Sequence, residues 1–165
     1  MWAELESLVV TLGIQHRVLF LGAQPHANID AWYAVGDIFT LPSPMETQGL
    51  VLVEAMAAGL PCVAVDRGGA REVVLHGETG IRVPLEPQGF AYALSALLKD
   101  PEERERLGRN GPARAKDYSP EAMARGVLDV YETVLRTPRP PVLAENSARS
   151  PKLPIRRRVR PRRGV

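Results

Sequence analysis

Short apolar runs alternate with helical stretches along most of this chain, and that alternation narrows the folds open to it. Residues 18–21 (VLFL), 37–41 (DIFTL), 62–65 (CVAV) and 81–84 (IRVP) are each four or five residues long and bordered by Gly or Pro. Runs that are apolar almost throughout, rather than at every second position, read as strands buried on both faces. Between them, residues 28–35 place Ile29, Trp32 and Tyr33 on one helical face, and residues 49–58 and 70–75 also read as helices. Ahead of them, Leu5, Leu8, Val9 and Leu12 recur at helical spacing until Gly13. Three further helices are expected over 87–98, 101–116 and 120–135, each opening at a proline, which suits a first helical turn. The pattern predicts an α/β fold: a Rossmann-like parallel sheet with helices on both faces. Such sheets usually carry five or six strands. Only four are expected here and the chain opens in a helix, so the sheet is expected to be incomplete.

The 165 residues are 45% hydrophobic, enough for a core without covalent staples. The single cysteine, Cys62, excludes an internal disulfide framework, and no Cys/His cluster has zinc spacing. No apolar run reaches 18 residues, and the first ten residues carry acids rather than a basic lead. These features predict a cytoplasmic protein. The net charge of +2 hides a split: residues 1–135 hold eleven basic and eighteen acidic groups, net −7, and residues 136–165 hold ten basic and one acidic, net +9. An acidic body is not expected to bind nucleic acid. Six of the fifteen prolines lie from Thr137 onward, in a stretch without periodicity, so residues 136–165 are expected to be a disordered Pro/Arg-rich tail after a domain of residues 1–135. Its end, IRRRVRPRR, has three readings: a solvated tail, a contact with an anionic membrane surface at the inner face, or a non-specific nucleic-acid contact.

The stretch that bears chemistry is LPSPMETQGLVLVEAMAAGLPCVAVD, residues 41–66. A strand leads through a Pro-rich turn into a helix and then a second strand, so Ser43, Glu46, Thr47 and Gln48 fall at the carboxyl edge of the sheet, where open α/β folds bind ligands. A helix starting near Gln48 and Gly49 presents unpaired N–H groups that favour an anion, above all a phosphate. Gly49 lets a ligand approach the backbone. Glu46 precedes that start and Glu54 lies eight positions on, about 12 Å along a helix axis. Carboxylates accept from hydroxyls, so this arrangement fits sugar hydroxyls, a diphosphate and ribose hydroxyls in turn.

PSPMETQGLVLVEAMAAGLPCVAVDRGGAREVV resembles the signature of the retaining GT-B-fold glycosyltransferases of the family 4 / group 1 set: Glu, seven residues, Glu (Glu46 and Glu54), then E-A-M-A-x-G-x-P. RVLFLGAQPHANIDAWYAVGDIFTLPS and GGAREVVLHGETGIRVP resemble the segments that flank it. The resemblance spans residues 1–135 and implies the C-terminal, donor-binding half of a GT-B fold. It implies that Glu46 contacts the transferred sugar as the catalytic residue and that Glu54 bonds the nucleotide ribose. It implies that Gly49 and Leu50, with Thr47 and Gln48, hold the diphosphate, and that the loop of Gly22, Ala23, Gln24 and Pro25 lies near the base. The substrate implied is a nucleotide-diphosphate sugar, with no metal and no other cofactor. ETQGL departs from the commoner EGFG-like form and is closer to members acting on lipid acceptors. Members also have an N-terminal Rossmann domain, and an Arg and a Lys that clamp the diphosphate. Neither is found in this sequence, so the chain is read as an N-terminally truncated fragment, inactive alone and needing a separate N-terminal domain chain. The rival reading is a non-catalytic nucleotide-sugar-binding or interaction module.

Blander roles stand beside these. Glu54 also reads as a helix glutamate beside an apolar stripe, Glu46 as an N-terminal capping acid, a role compatible with the first, and Gly68–Gly69 as a tight turn. Cys62 reads as core, Trp32 and Tyr33 as packing, and His16, His26 and His76 carry no assigned role.

Overall fold

A computed structural model of the chain describes residues 2–137. Seven α-helices and three strands follow one another among them. The order is α1 (Trp2–Thr11), α2 (Ile29–Ala34), β1 (Phe39–Leu41), α3 (Leu50–Ala57), β2 (Cys62–Val65), α4 (Gly68–Val73), β3 (Gly80–Val83), α5 (Pro87–Lys99), α6 (Pro101–Ala115) and α7 (Pro120–Arg136). The strands form one parallel sheet in the order β1-β2-β3, with Phe39 opposite Cys62 and Cys62 opposite Gly80. This is the α/β architecture expected, with β3 at an edge. The prolines at 87, 101 and 120 each open a helix as expected. The expected tail lies outside the described residues beyond Thr137.

One expected strand is not formed. Residues 18–21 are not assigned to the sheet, although Val18 has an extended backbone (φ −118°, ψ 124°). Leu19 is 78% exposed. An apolar run becomes a strand only where a neighbour supplies ladder partners, and no described strand lies beside this one.

The chain divides into two compact units, Met1–Gly126 and Val127–Val165. The first contains the sheet. Strand β2 is buried at all four positions, and its side chains alternate between two cores. Cys62 and Ala64 pack with Leu52, Ala55 and Met56 of α3 and with Ala70 and Val73 of α4. Val63 faces the other way, onto Val83, Ala93, Leu97 and Leu107. In the second unit the described residues form the end of α7, where Arg136 pairs with Glu132 at 2.8 Å.

Two arginines of α6 tie off the carboxyl ends of earlier helices, whose last carbonyls lack helical donors. Arg104 donates to Leu97 O (2.6 Å) at the end of α5. Arg114 donates to Glu72 O (2.6 Å) and Val73 O (3.2 Å) at the end of α4, and its guanidinium lies 4.9 Å from the centre of the Tyr118 ring. A cation here also complements the negative end of the α4 dipole. Replacing Arg114 with Ala is expected to lower unfolding stability by about 1–3 kcal/mol, and with Lys by less, because an ammonium keeps the charge and a donor but cannot make the forked contact. Urea melts of the two variants read this directly; an Ala variant as stable as the parent would contradict it.

Candidate functional site

Strands β1 and β2 run parallel and adjacent, so the loops that follow them emerge at the same edge. The loop after β1 holds Ser43, Glu46, Thr47 and Gln48; the loop after β2 holds Asp66 and Arg67. A backbone bond joins the two segments: Gly69 N donates to Glu46 O at 2.8 Å. The approach is too close for a side chain on Gly69, where a Cβ would lie 2.7 Å from Thr47 O. Gly68–Gly69 is therefore the docking point of the two loops, more than the tight turn its sequence suggested.

Glu46 turns back on the start of α3. Its Oε1 accepts from Gly49 N at 2.9 Å and Gln48 N at 3.3 Å. Gly49 is the N-cap residue, at φ +71° and ψ 25°, a conformation that favours glycine, and its carbonyl accepts from Leu52 N (2.9 Å) and Val53 N (3.1 Å). The helix thus begins at Leu50, slightly later than the sequence suggested. The capping role of Glu46 is realised, and it engages two of the amides expected to serve a phosphate. The amides of Leu50 and Val51 remain in the first turn without helical acceptors. The eight-position ruler from Glu46 to Glu54 needs correcting too. Only the part from Leu50 is helical, about 6 Å of axis, because residues 46–49 form a turn. Thr47, Gln48 and Leu50 are exposed, Gly49 is buried, and Glu46 and Glu54 are partly buried.

Glu54 has a partner that the sequence reading missed. Tyr33 of α2 donates its hydroxyl to Glu54 Oε2 at 2.9 Å, with Val51 O a weaker alternative acceptor at 3.4 Å. The Tyr33 ring stands edge-on to Phe39, centroids 5.6 Å apart. Burial, then the bond to Glu54, pushes the Tyr33 phenol well above its ordinary range. Tyr33 was read as packing, and nothing in the spacing of residues 33 and 54 signals the contact.

The other expected positions are placed as follows. Gln24 donates to Leu21 O (2.6 Å) within its own loop. Arg71 is committed to Asp66 through two bonds of 3.0 and 3.1 Å, and Arg82 adds a contact to the same carboxylate at 3.3 Å. The Arg71 guanidinium holds the Asp66 carboxyl below the usual carboxylate range. Cys62 is buried in the core, and burial pushes its thiol up to about 12. His76 Nδ1 accepts from Arg82 N at 3.0 Å, a sheet-edge role. Among the described residues no group of three or more His, Cys, Asp or Glu could hold a metal ion, and no helix is long and apolar enough to cross a membrane.

The chain belongs to the group 1 glycosyl transferases: the profile of that family matches residues 2–114, more than half of its length. It is 36% identical over 135 residues to the D-inositol 3-phosphate glycosyltransferase of Corynebacterium urealyticum, covering 81% of this chain and 32% of that protein. Among solved structures it resembles sucrose-phosphate synthase of Thermosynechococcus elongatus (TM-score 0.73, 32% identity, 81% of this chain and 34% of that one). It also resembles Anabaena HepE, solved in complex with UDP (TM-score 0.73, 30% identity, 79% and 36%). These neighbours are GT-B glycosyltransferases. The chain spans about a third of the length of the curated relatives it matches.

The Tyr33 phenol makes a testable demand at alkaline pH. Below about pH 10 the folded and unfolded chains both keep this proton; above it the unfolded chain releases the proton first, so stability falls as pH rises toward the folded pKa. In an alkaline absorbance titration one phenolate is expected to appear well above pH 10, and to be missing from Tyr33→Phe. If the phenolate missing from Tyr33→Phe is one that appears near pH 10, the burial of this hydroxyl is contradicted.

Proposed function

We propose that this chain is the donor-binding portion of a retaining glycosyltransferase, which moves a hexosyl group from a nucleotide-diphosphate sugar to an acceptor. The observation that carries the proposal is the pair of partly buried carboxylates, Glu46 before and Glu54 after, that flank the first turn of α3. Family membership and the UDP bound to the HepE neighbour support it. In this reading Glu54 accepts from the ribose hydroxyls, and the first turn of α3, through the amides of Leu50 and Val51, donates to the diphosphate. Thr47 and Gln48 border that anion. Glu46, kept close to the helix start by its own amide bonds, faces the transferred sugar through its remaining oxygen. No metal is needed where helix amides and the dipole meet the negative charge.

The acceptor side belongs to a further Rossmann domain in this proposal, and the described chain alone does not transfer sugar. A lipid acceptor is part of the same proposal, resting on the ETQGL wording and on the basic end of the chain, which would sit well against an anionic bilayer at the inner face. Domain limits of 1–135 and 136–165 accompany it.

The two glutamates have separable tasks, and binding isotherms separate them. Glu54→Gln is expected to weaken a nucleoside diphosphate and its sugar conjugate alike, by about 10- to 100-fold, as befits a lost charge-assisted bond. Glu46→Gln is expected to weaken the sugar conjugate more than the bare diphosphate. A panel of UDP, GDP and their hexose conjugates tests both, and the assignment fails if neither variant changes any affinity.

A further inference from the structure

We infer that Tyr33 is a positioning residue for the donor site: its hydroxyl fixes one oxygen of Glu54 and leaves the other aimed at the ribose. The inference rests on the proposed role of Glu54.

A glutamate on a helix surface has three side-chain torsions and adopts several rotamers. To accept from a ribose hydroxyl it must be held in one of them, and that ordering opposes binding unless the fold has already imposed it. Here the fold imposes it. Tyr33 Oη meets Glu54 Oε2 at 2.9 Å, and the Tyr33 ring is itself seated against Phe39 at the start of β1 and against the core beneath α3. The hydroxyl has one proton, and the carboxylate, being charged and nearer, takes it in preference to Val51 O at 3.4 Å. Among the described residues Glu54 Oε1 accepts no hydrogen bond, so the carboxylate keeps one oxygen for a ligand hydroxyl. Two segments 21 residues apart in sequence, α2 and α3, are thereby joined at the group proposed to read the ribose. A phenylalanine would preserve the ring contact with Phe39 and remove only the anchor.

The test is a set of calorimetric affinities for UDP and for 2′,3′-dideoxy-UDP, with GDP and its dideoxy form in parallel. The proteins are the parent chain, Tyr33→Phe, Glu54→Ala and the double variant. The parent is expected to prefer the ribose form by about tenfold. Tyr33→Phe should weaken the ribose form by about three- to tenfold and leave the dideoxy form unchanged, which a purely structural role would not do. The double variant should bind no more weakly than Glu54→Ala, because with no side-chain oxygen at position 54 the anchor has nothing left to position. Equal weakening of both forms by Tyr33→Phe, or an unchanged preference, overturns the inference and leaves the donor-site reading standing. A parent chain with no ribose preference overturns the donor-site reading itself, and this inference with it. A measurement free of any variant guards against misfolding of Tyr33→Phe. The Tyr33 hydroxyl proton, slowed in exchange by its bond to Glu54, should stay protected by NMR in the nucleotide-bound chain, and its loss on binding would also overturn the inference.

Discussion

The site depends on one backbone contact between two loops. Gly69 N donates to Glu46 O across the edge of the sheet, with no side chain at Gly69 to keep the loops apart. Because β1 and β2 are adjacent and parallel, this contact sets where the turn before α3 sits relative to the strand ends. The turn in turn sets the direction of α3: Gly49 adopts its left-handed conformation, Glu46 holds the Gly49 and Gln48 amides, and the helix starts one residue later. The placement of Glu54, one turn further along, follows from these.

Charge at this edge is arranged sparingly. Asp66 occupies Arg71 and draws on Arg82, which takes the Arg71 guanidinium out of play for a ligand. Asp66 and Arg71 are partly solvent-exposed, so their pair, which links α4 to the end of β2, contributes little stability. A diphosphate in the proposed mode would therefore rely on the helix amides of Leu50 and Val51.

The fold was largely legible because its signals are local. A four-residue apolar run buried at every position announced β2, and prolines at 87, 101 and 120 announced three helix starts. Residues 18–21 misled for the same reason: an apolar run signals only that burial is favourable, whereas burial and pairing both depend on a neighbour that no local window contains. The site was legible to the level of which residues share the edge, since the carboxyl ends of parallel strands converge. Its geometry was not. Whether Glu46 lies on the helix or folds back over its start depends on the turn conformation at Gly49. The bond from Tyr33 to Glu54 joins positions with no periodic relation, and only the packing of α2 against α3 creates it.

Where a nucleotide sits on this chain is the most direct test of the donor site. A crystal structure of the chain with a nucleoside diphosphate should place the phosphates within hydrogen-bonding distance of the Leu50 and Val51 amides, and a ribose hydroxyl on Glu54 with Tyr33 still bonded to it. A nucleotide bound on another face, or lying at this edge with its ribose turned away from Glu54, would contradict it.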